Sequence, residues 1–134
     1  MAAVYMLDTD ICSYTIKQNP ASVAQAFWDH KDDEICISSV TYAELMYGAT
    51  RTGSSKTTAA IRRFVTRVGI VSFDDNAAEE YAHIRCSLEA NGTPIAAADL
   101  MVASCAKAKK AVLVTNNVKH FSKIRDLEIE NWIE

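Results

Sequence analysis

Val4-Tyr5-Met6-Leu7-Asp8-Thr9-Asp10 is the stretch on which the fold turns. Four apolar residues make a short buried strand, and the run stops on a carboxylate. The form returns downstream: Ile35-Cys36-Ile37-Ser38, Ile70 to Phe73 and Ala111 to Thr115 read as strands, and Leu127 to Trp132 adds one at an edge. Between these runs the apolar period becomes helical. Asn19-Pro20 reads as an N-cap and a first-turn proline opening a helix through Ala24, Phe27 and Trp28. Thr41 to Tyr47 reads as a helix closed near Gly48, and Ile61, Phe64, Val65 and Val68 mark an amphipathic one. Asp75 or Asn76 caps a long helix through Tyr81, Ile84 and Leu88 to Asn91-Gly92, and an alanine-rich helix follows from Ala97 to Lys110. Gly53-Ser54-Ser55 reads as a mobile loop between two helices. Strands joined by helical crossovers pair mostly in parallel, so the expected fold is a three-layer α/β/α sandwich on a mostly parallel sheet of four to five strands.

The chain has 134 residues, 49% of them hydrophobic, which suits one domain over 1–134 and is too short for two ordinary ones. No apolar run approaches the roughly 18 residues of a membrane span. Met1 to Leu7 meets Asp8 before a signal-peptide core forms, so the expected location is cytoplasmic. Cys12, Cys36, Cys86 and Cys105 form no C-x-x-C pair and no zinc-like spacing with histidine, which predicts reduced thiols serving as small core residues. Lys+Arg 14 against Asp+Glu 17 gives a net charge of -3, a balance that by itself speaks against nucleic acid.

In an open parallel sheet, ligands bind beyond the carboxyl ends of the strands. Asp8, Thr9 and Asp10 follow the first strand, Glu44 lies early in the helix leaving the second, and Thr115-Asn116-Asn117 ends the fourth. Asp99 stands near the start of the alanine-rich helix with apolar residues on both sides. Carboxylates brought together repel unless cations bind among them. Hard oxygen donors without Cys or His select Mg²⁺ or Mn²⁺, and such ions suit in-line displacement at phosphorus. The constellation therefore predicts a metal-dependent phosphodiesterase. Each member also has a plain structural use: Asp8, Asp10 or Asp99 as a helix cap, and Thr41-x-x-Glu44 as a capping box.

Met6 to Cys12, Ile37 to Gly48, Pro94 to Met101, Leu113 to Asn117 and Phe121, taken in order, resemble a PIN-domain ribonuclease, and most closely the VapC toxins of bacterial VapBC toxin–antitoxin modules. The resemblance covers nearly the whole chain. It implies an Mg²⁺- or Mn²⁺-dependent endoribonuclease in which Asp8, Glu44 and Asp99 ligate metal. It implies a cognate VapB antitoxin that blocks the site, a toxin homodimer, and a toxin–antitoxin complex that represses its own operator DNA. Structured RNA, tRNA and in particular initiator tRNA, is the implied substrate. Two positions depart from the pattern. Asn117 stands where an Asp is common, and His120 where relatives with Thr-Asn-Asn carry an acid. Asp10, where Asn is frequent, restores negative charge from the opposite side. Thr9 and Thr115 position water or phosphate, or simply close strand ends. His120 reads as a phosphate contact or proton donor, or as an exposed histidine at a helix end. His30 and His83 have no catalytic reading, and Trp28 and Trp132 read as core or interface anchors.

Asp8-x-Asp10 at a strand end also matches the nucleophile and general acid of a haloacid-dehalogenase phosphatase, but no paired acidic segment closes the fourth strand. A receiver-like domain fits the length yet lacks the expected lysine after a fifth strand. A PIN domain without activity, kept as a binding module, is the remaining alternative. Net charge conceals a segregation. Removing Asp8, Asp10, Glu44 and Asp99 from the 17 acids leaves 13 against 14 cations. Gly48 to Phe73 carries Arg51, Lys56, Arg62, Arg63 and Arg67 with no acid, and Leu100 to Arg125 carries Lys107, Lys109, Lys110, Lys119, Lys123 and Arg125 with none. Arg62, Arg63, Lys107, Lys119 and His120 are the expected RNA contacts, set on segments flanking an acidic cluster.

Overall fold

In the computed structural model, which describes residues 3–133, the strands are short and all parallel. The elements run β1 (Val4–Leu7), α1 (Thr9–Lys17), α2 (Ala21–Asp29), β2 (Glu34–Ser38), α3 (Ser39–Thr52), α4 (Ser55–Val68), β3 (Ile70–Val71), α5 (Asp75–Ala90), α6 (Ala97–Lys109), β4 (Val112–Val114), α7 (Val118–Phe121) and β5 (Ile129–Glu130). The strand order is β3-β2-β1-β4-β5. The central strand β1 has a neighbour on each side, so its backbone is fully paired and its side chains alternate between two cores.

That alternation builds the layers. Met6, Cys36 and Leu113 point into a core completed by α5, α6 and α7, with Leu88, Leu100, Ala106 and Phe121 among its buried members. Leu7, Ile35, Ile37 and Val114 point the other way, onto Ile11, Val23, Leu45, Ala49, Ile61 and Phe64 of α1 to α4. The expected α/β/α sandwich is the observed one, with five strands.

Several boundaries fall elsewhere than the local signals place them. A helix, α1, fills the segment between Asp8 and Gln18, and α2 takes Pro20 rather than Asn19 as its N-cap. Helix α3 runs through Gly48 to Thr52. An interior glycine costs only about 1 kcal/mol, a cost that burial of Leu45 and Ala49 on either side of it offsets. The turn signal at Gly53 is the true stop: it holds φ 70°, and Ser54 at once caps α4, so the expected mobile loop is a two-residue junction. Asp74, not Asp75 or Asn76, caps α5 through the Ala77 N–H at 3.0 Å. Cys12, Cys36 and Cys105 are buried free thiols, but Cys86 is exposed. Ile84 and Leu88 of α5 face the core, and a residue midway between them points outward. Trp132 is buried and stacks on His30, whereas Trp28 is exposed.

Candidate active site

The register of β1 on β4 pairs Leu7 with Val114 and so sets the next residues, Asp8 and Thr115, side by side at the carboxyl edge of the sheet. The Asp8 N–H donates to the Val114 carbonyl at 2.9 Å, continuing the ladder one step past the strand. The Asp8 carboxylate then has two uses. Its Oδ1 accepts from the Thr9 N–H at 2.8 Å, at the N-cap of α1, and its Oδ2 accepts from the Thr115 hydroxyl at 2.9 Å. Thr115 Oγ1 in turn accepts from the Asn117 N–H at 3.0 Å, which fixes the turn leaving β4. Asp8 thus caps α1 through one oxygen and holds Thr115 through the other.

Helix α3 delivers the second acid. The buried Ser38 Oγ accepts from the Thr41 N–H at 3.0 Å, so the cap lies one turn earlier than Thr41-x-x-Glu44 suggests, and Glu44 takes no part in it. Glu44 is exposed, and its Oε1 accepts from the Thr9 hydroxyl at 2.7 Å, tying α3 to α1. The Asp10 Oδ1 accepts from the Ile11 N–H at 2.9 Å. Asp99 lies in the first turn of α6 but does not cap it, since Ala96 is the N-cap and makes no side-chain bond. Its Oδ2 is 3.2 Å from His120 Nε2 of α7. The expectation of a merely exposed His120 does not hold, because 24% of its side chain is accessible.

Electrostatics join these groups. Burial pushes the Asp8 carboxyl up to about 6, the charges of Asp10 and Asp99 push the same way, and the Thr9 N–H and Thr115 hydroxyl oppose them. Burial also raises Asp10, with the Asp99 charge adding to it. Among the described residues no group of three or more His, Cys, Asp or Glu side chains is arranged as it stands to hold a metal ion. Each acid instead faces a protein partner: Thr115, Thr9, the Ile11 N–H or His120. The donor chemistry nevertheless suits a divalent cation, because one placed among Asp8, Asp10 and Asp99 relieves a repulsion that the fold itself creates.

A parallel sheet ordered β3-β2-β1-β4-β5 with acids at the carboxyl edge accompanies a match of residues 5–127 to the family described as PIN domain. The chain belongs to the PIN-domain family. Its relatives include a Shigella flexneri protein named tRNA(fMet)-specific endonuclease VapC, 39% identical over 96% of this chain and 97% of that one. Among solved structures, a chain of VapBC2 from Rickettsia felis bound to a promoter DNA fragment superposes with a TM-score of 0.88 at 38% identity, covering 96% of this chain and 98% of that one. DNA-bound VapBC from Salmonella typhimurium gives 0.88 at 36% identity, over 98% and 99% of the two chains.

The remaining polar residues singled out in the sequence lie on several elements of this PIN domain. Asn116 and Asn117 are exposed, and Asn116 Oδ1 accepts from Asn131 Nδ2 at 3.2 Å, holding the C-terminal segment. Arg62 and Arg63, exposed on α4, line a hollow with Thr50 and Thr58. A separate groove of about 350 Å³ has Thr9, Glu44 and Ala49 among its walls. Lys119 is exposed on α7. Lys107 lies two turns along α6 from Asp99. It shares a small hollow with Lys123, and its Nζ donates to the Arg125 carbonyl at 3.3 Å. Two contacts at the site go beyond the roles read from the motifs. Ser38 is visible in the sequence as Ser38-x-x-Thr41, whereas no local pattern announces the contact of His120 with Asp99.

Proposed function

We propose that this PIN domain is the ribonuclease toxin of a VapBC-type toxin–antitoxin pair, a divalent-metal-dependent endoribonuclease that cuts structured RNA, with initiator tRNA as its target, in the cytoplasm. The observation that carries the reading is the Asp8 carboxyl, held by Thr9 and Thr115 and raised by burial and by Asp10 and Asp99. Relatives named tRNA(fMet)-specific endonuclease VapC and VapBC complexes on DNA support the substrate and the partners. The partners are then a VapB antitoxin covering the site, operator DNA reached through the joint complex, and a second toxin copy.

Asp8, Glu44 and Asp99 would hold Mg²⁺ or Mn²⁺, with Asp10 adding charge and the Asn117 amide an uncharged oxygen. When bound, the ion supplies Lewis acidity at phosphorus and offsets charge that builds up during in-line displacement. The protein's own part is orientation. Thr115 fixes Asp8, the Thr9 hydroxyl aims Glu44, and Asn116 braces the turn after β4. Arg62, Arg63 and Lys119 contact RNA phosphates from outside the cluster. The purified chain should cut a structured RNA with Mg²⁺ or Mn²⁺, stop with EDTA, and fail as Asp8→Asn or Asp99→Asn. Cleavage indifferent to all three rules out the metal site. A folded chain that binds antitoxin but cuts no RNA is a binding module instead.

A further inference from the structure

Mg²⁺ or Mn²⁺ is expected from a donor set without histidine, and the tertiary structure adds one. Phe121 is fully buried and locks the short helix α7 onto the core, with its ring edge-on to His120 at 5.3 Å. The imidazole is thereby directed inward. Its Nε2 is withdrawn from solvent and has no hydrogen-bond partner, although Asp99 Oδ2 lies only 3.2 Å away. The two atoms are close but not aligned as donor and acceptor. Such a pair is what neighbouring ligands on one ion look like: with metal–ligand bonds near 2.1 Å at right angles, adjacent donor atoms stand about 3.0 Å apart. Asp99 is also within electrostatic reach of Asp8 and Asp10, so an ion held by this pair would border the same acids.

We propose that His120 is a metal ligand of this chain, closing with Asp99 on one divalent ion, and that the site in consequence favours Mn²⁺ over Mg²⁺. The proposal rests on the metal-dependent reading above. Its selectivity follows from ligand chemistry. Mg²⁺ takes oxygen donors and gives up water reluctantly, while imidazole nitrogen suits transition ions. His120 then fills, with nitrogen, the place where the family resemblance leads one to expect an acid.

The test is Mn²⁺ binding to the EDTA-stripped full chain, followed by electron paramagnetic resonance, with pulsed detection of nitrogen coupling and no reliance on RNA cleavage. Wild type should show imidazole nitrogen coupled to Mn²⁺. His120→Gln should lose that coupling and bind Mn²⁺ about ten-fold more weakly. His120→Glu should bind without the coupling and let Mg²⁺ compete better than it does in wild type. His30→Gln should leave the signal intact. Bound Mn²⁺ without nitrogen coupling, or coupling that survives His120→Gln, overturns the assignment. If Asp99→Asn still weakens Mn²⁺ binding in that event, the metal site stands and His120 alone is excluded. A wild type that binds no Mn²⁺ removes both readings together.

Discussion

The Thr115 hydroxyl donates to Asp8 Oδ2 at 2.9 Å across 107 residues of chain. Both residues are buried and both stand one step beyond paired strands, so the bond is set by the register of β1 on β4. Thr115→Val leaves a buried carboxylate oxygen and the Asn117 N–H without partners, which costs about 1–3 kcal/mol. Thr115→Ser keeps the hydroxyl and should lose little. Urea unfolding of the two variants, beside their RNA cleavage, checks this; equal stability of Val and Ser would show the bond to be dispensable.

Asp8 should oppose folding at neutral pH in metal-free protein. Its carboxyl is raised from 3.8 to about 6, so the folded state favours the neutral form. Well below pH 4 both folded and unfolded chains are protonated and no penalty exists. The penalty grows through the interval to pH 6 and is complete above it, at up to about 3 kcal/mol. Asp8→Asn should therefore be more stable than wild type at pH 7.5 in EDTA, with the difference vanishing at about pH 3, while RNA cleavage is lost. Denaturant titrations at the two pH values decide it.

Ser38 caps the helix that carries Glu44. Ser38→Ala removes the acceptor for the Thr41 N–H in a fully buried setting and should cost about 0.5–2 kcal/mol. Because the first turn of α3 is then less constrained, cleavage should fall as well, and Ser38→Thr should recover part of both. A cap variant with full stability would show that another group serves the Thr41 N–H.

Arg62 and Arg63 are exposed on α4 and border a hollow with Thr50 and Thr58, whereas Lys107 sits two turns along α6 from Asp99. Arg62→Glu with Arg63→Glu should weaken RNA binding and lower the salt slope by about one unit for each phosphate no longer neutralised. Lys107→Glu should change either quantity much less. Binding isotherms at several salt concentrations separate the outcomes, and an equal effect of Lys107→Glu would move the RNA path onto the α6 and α7 side.

Thiol chemistry should single out one residue. Burial pushes Cys36 up to about 12 and Cys105 up to about 11 and raises Cys12 well above the ordinary thiol range, while Cys86 is exposed on α5. Reagents attack the thiolate. Native protein should titrate one thiol quickly and all four only after unfolding, and Cys86→Ser should abolish the fast phase.

The order of strands and helices is legible in local pattern because each depends on neighbours in sequence. A run such as Val4–Leu7 has no polar face to expose, and Ile61, Phe64 and Val68 share one side of a helix. Helix ends are less legible. Ser38, Gly48, Gly53 and Asp74 all carry the right chemistry for a cap, a break or a stop, and burial of residues such as Ala49 chooses among them. The family resemblance selects Asp8, Glu44 and Asp99, but it leaves open which of their oxygens are committed to capping.

By itself, then, the sequence determined a parallel α/β chain with acids at the ends of its strands, since alternation and periodicity are short-range properties. Only the tertiary structure decided that β4 lies beside β1, so that Thr115 reaches Asp8, and that α7 folds back until His120 meets Asp99. These contacts join distant segments, and they depend on strand register and on the burial of Phe121 rather than on any residue's neighbours in the chain.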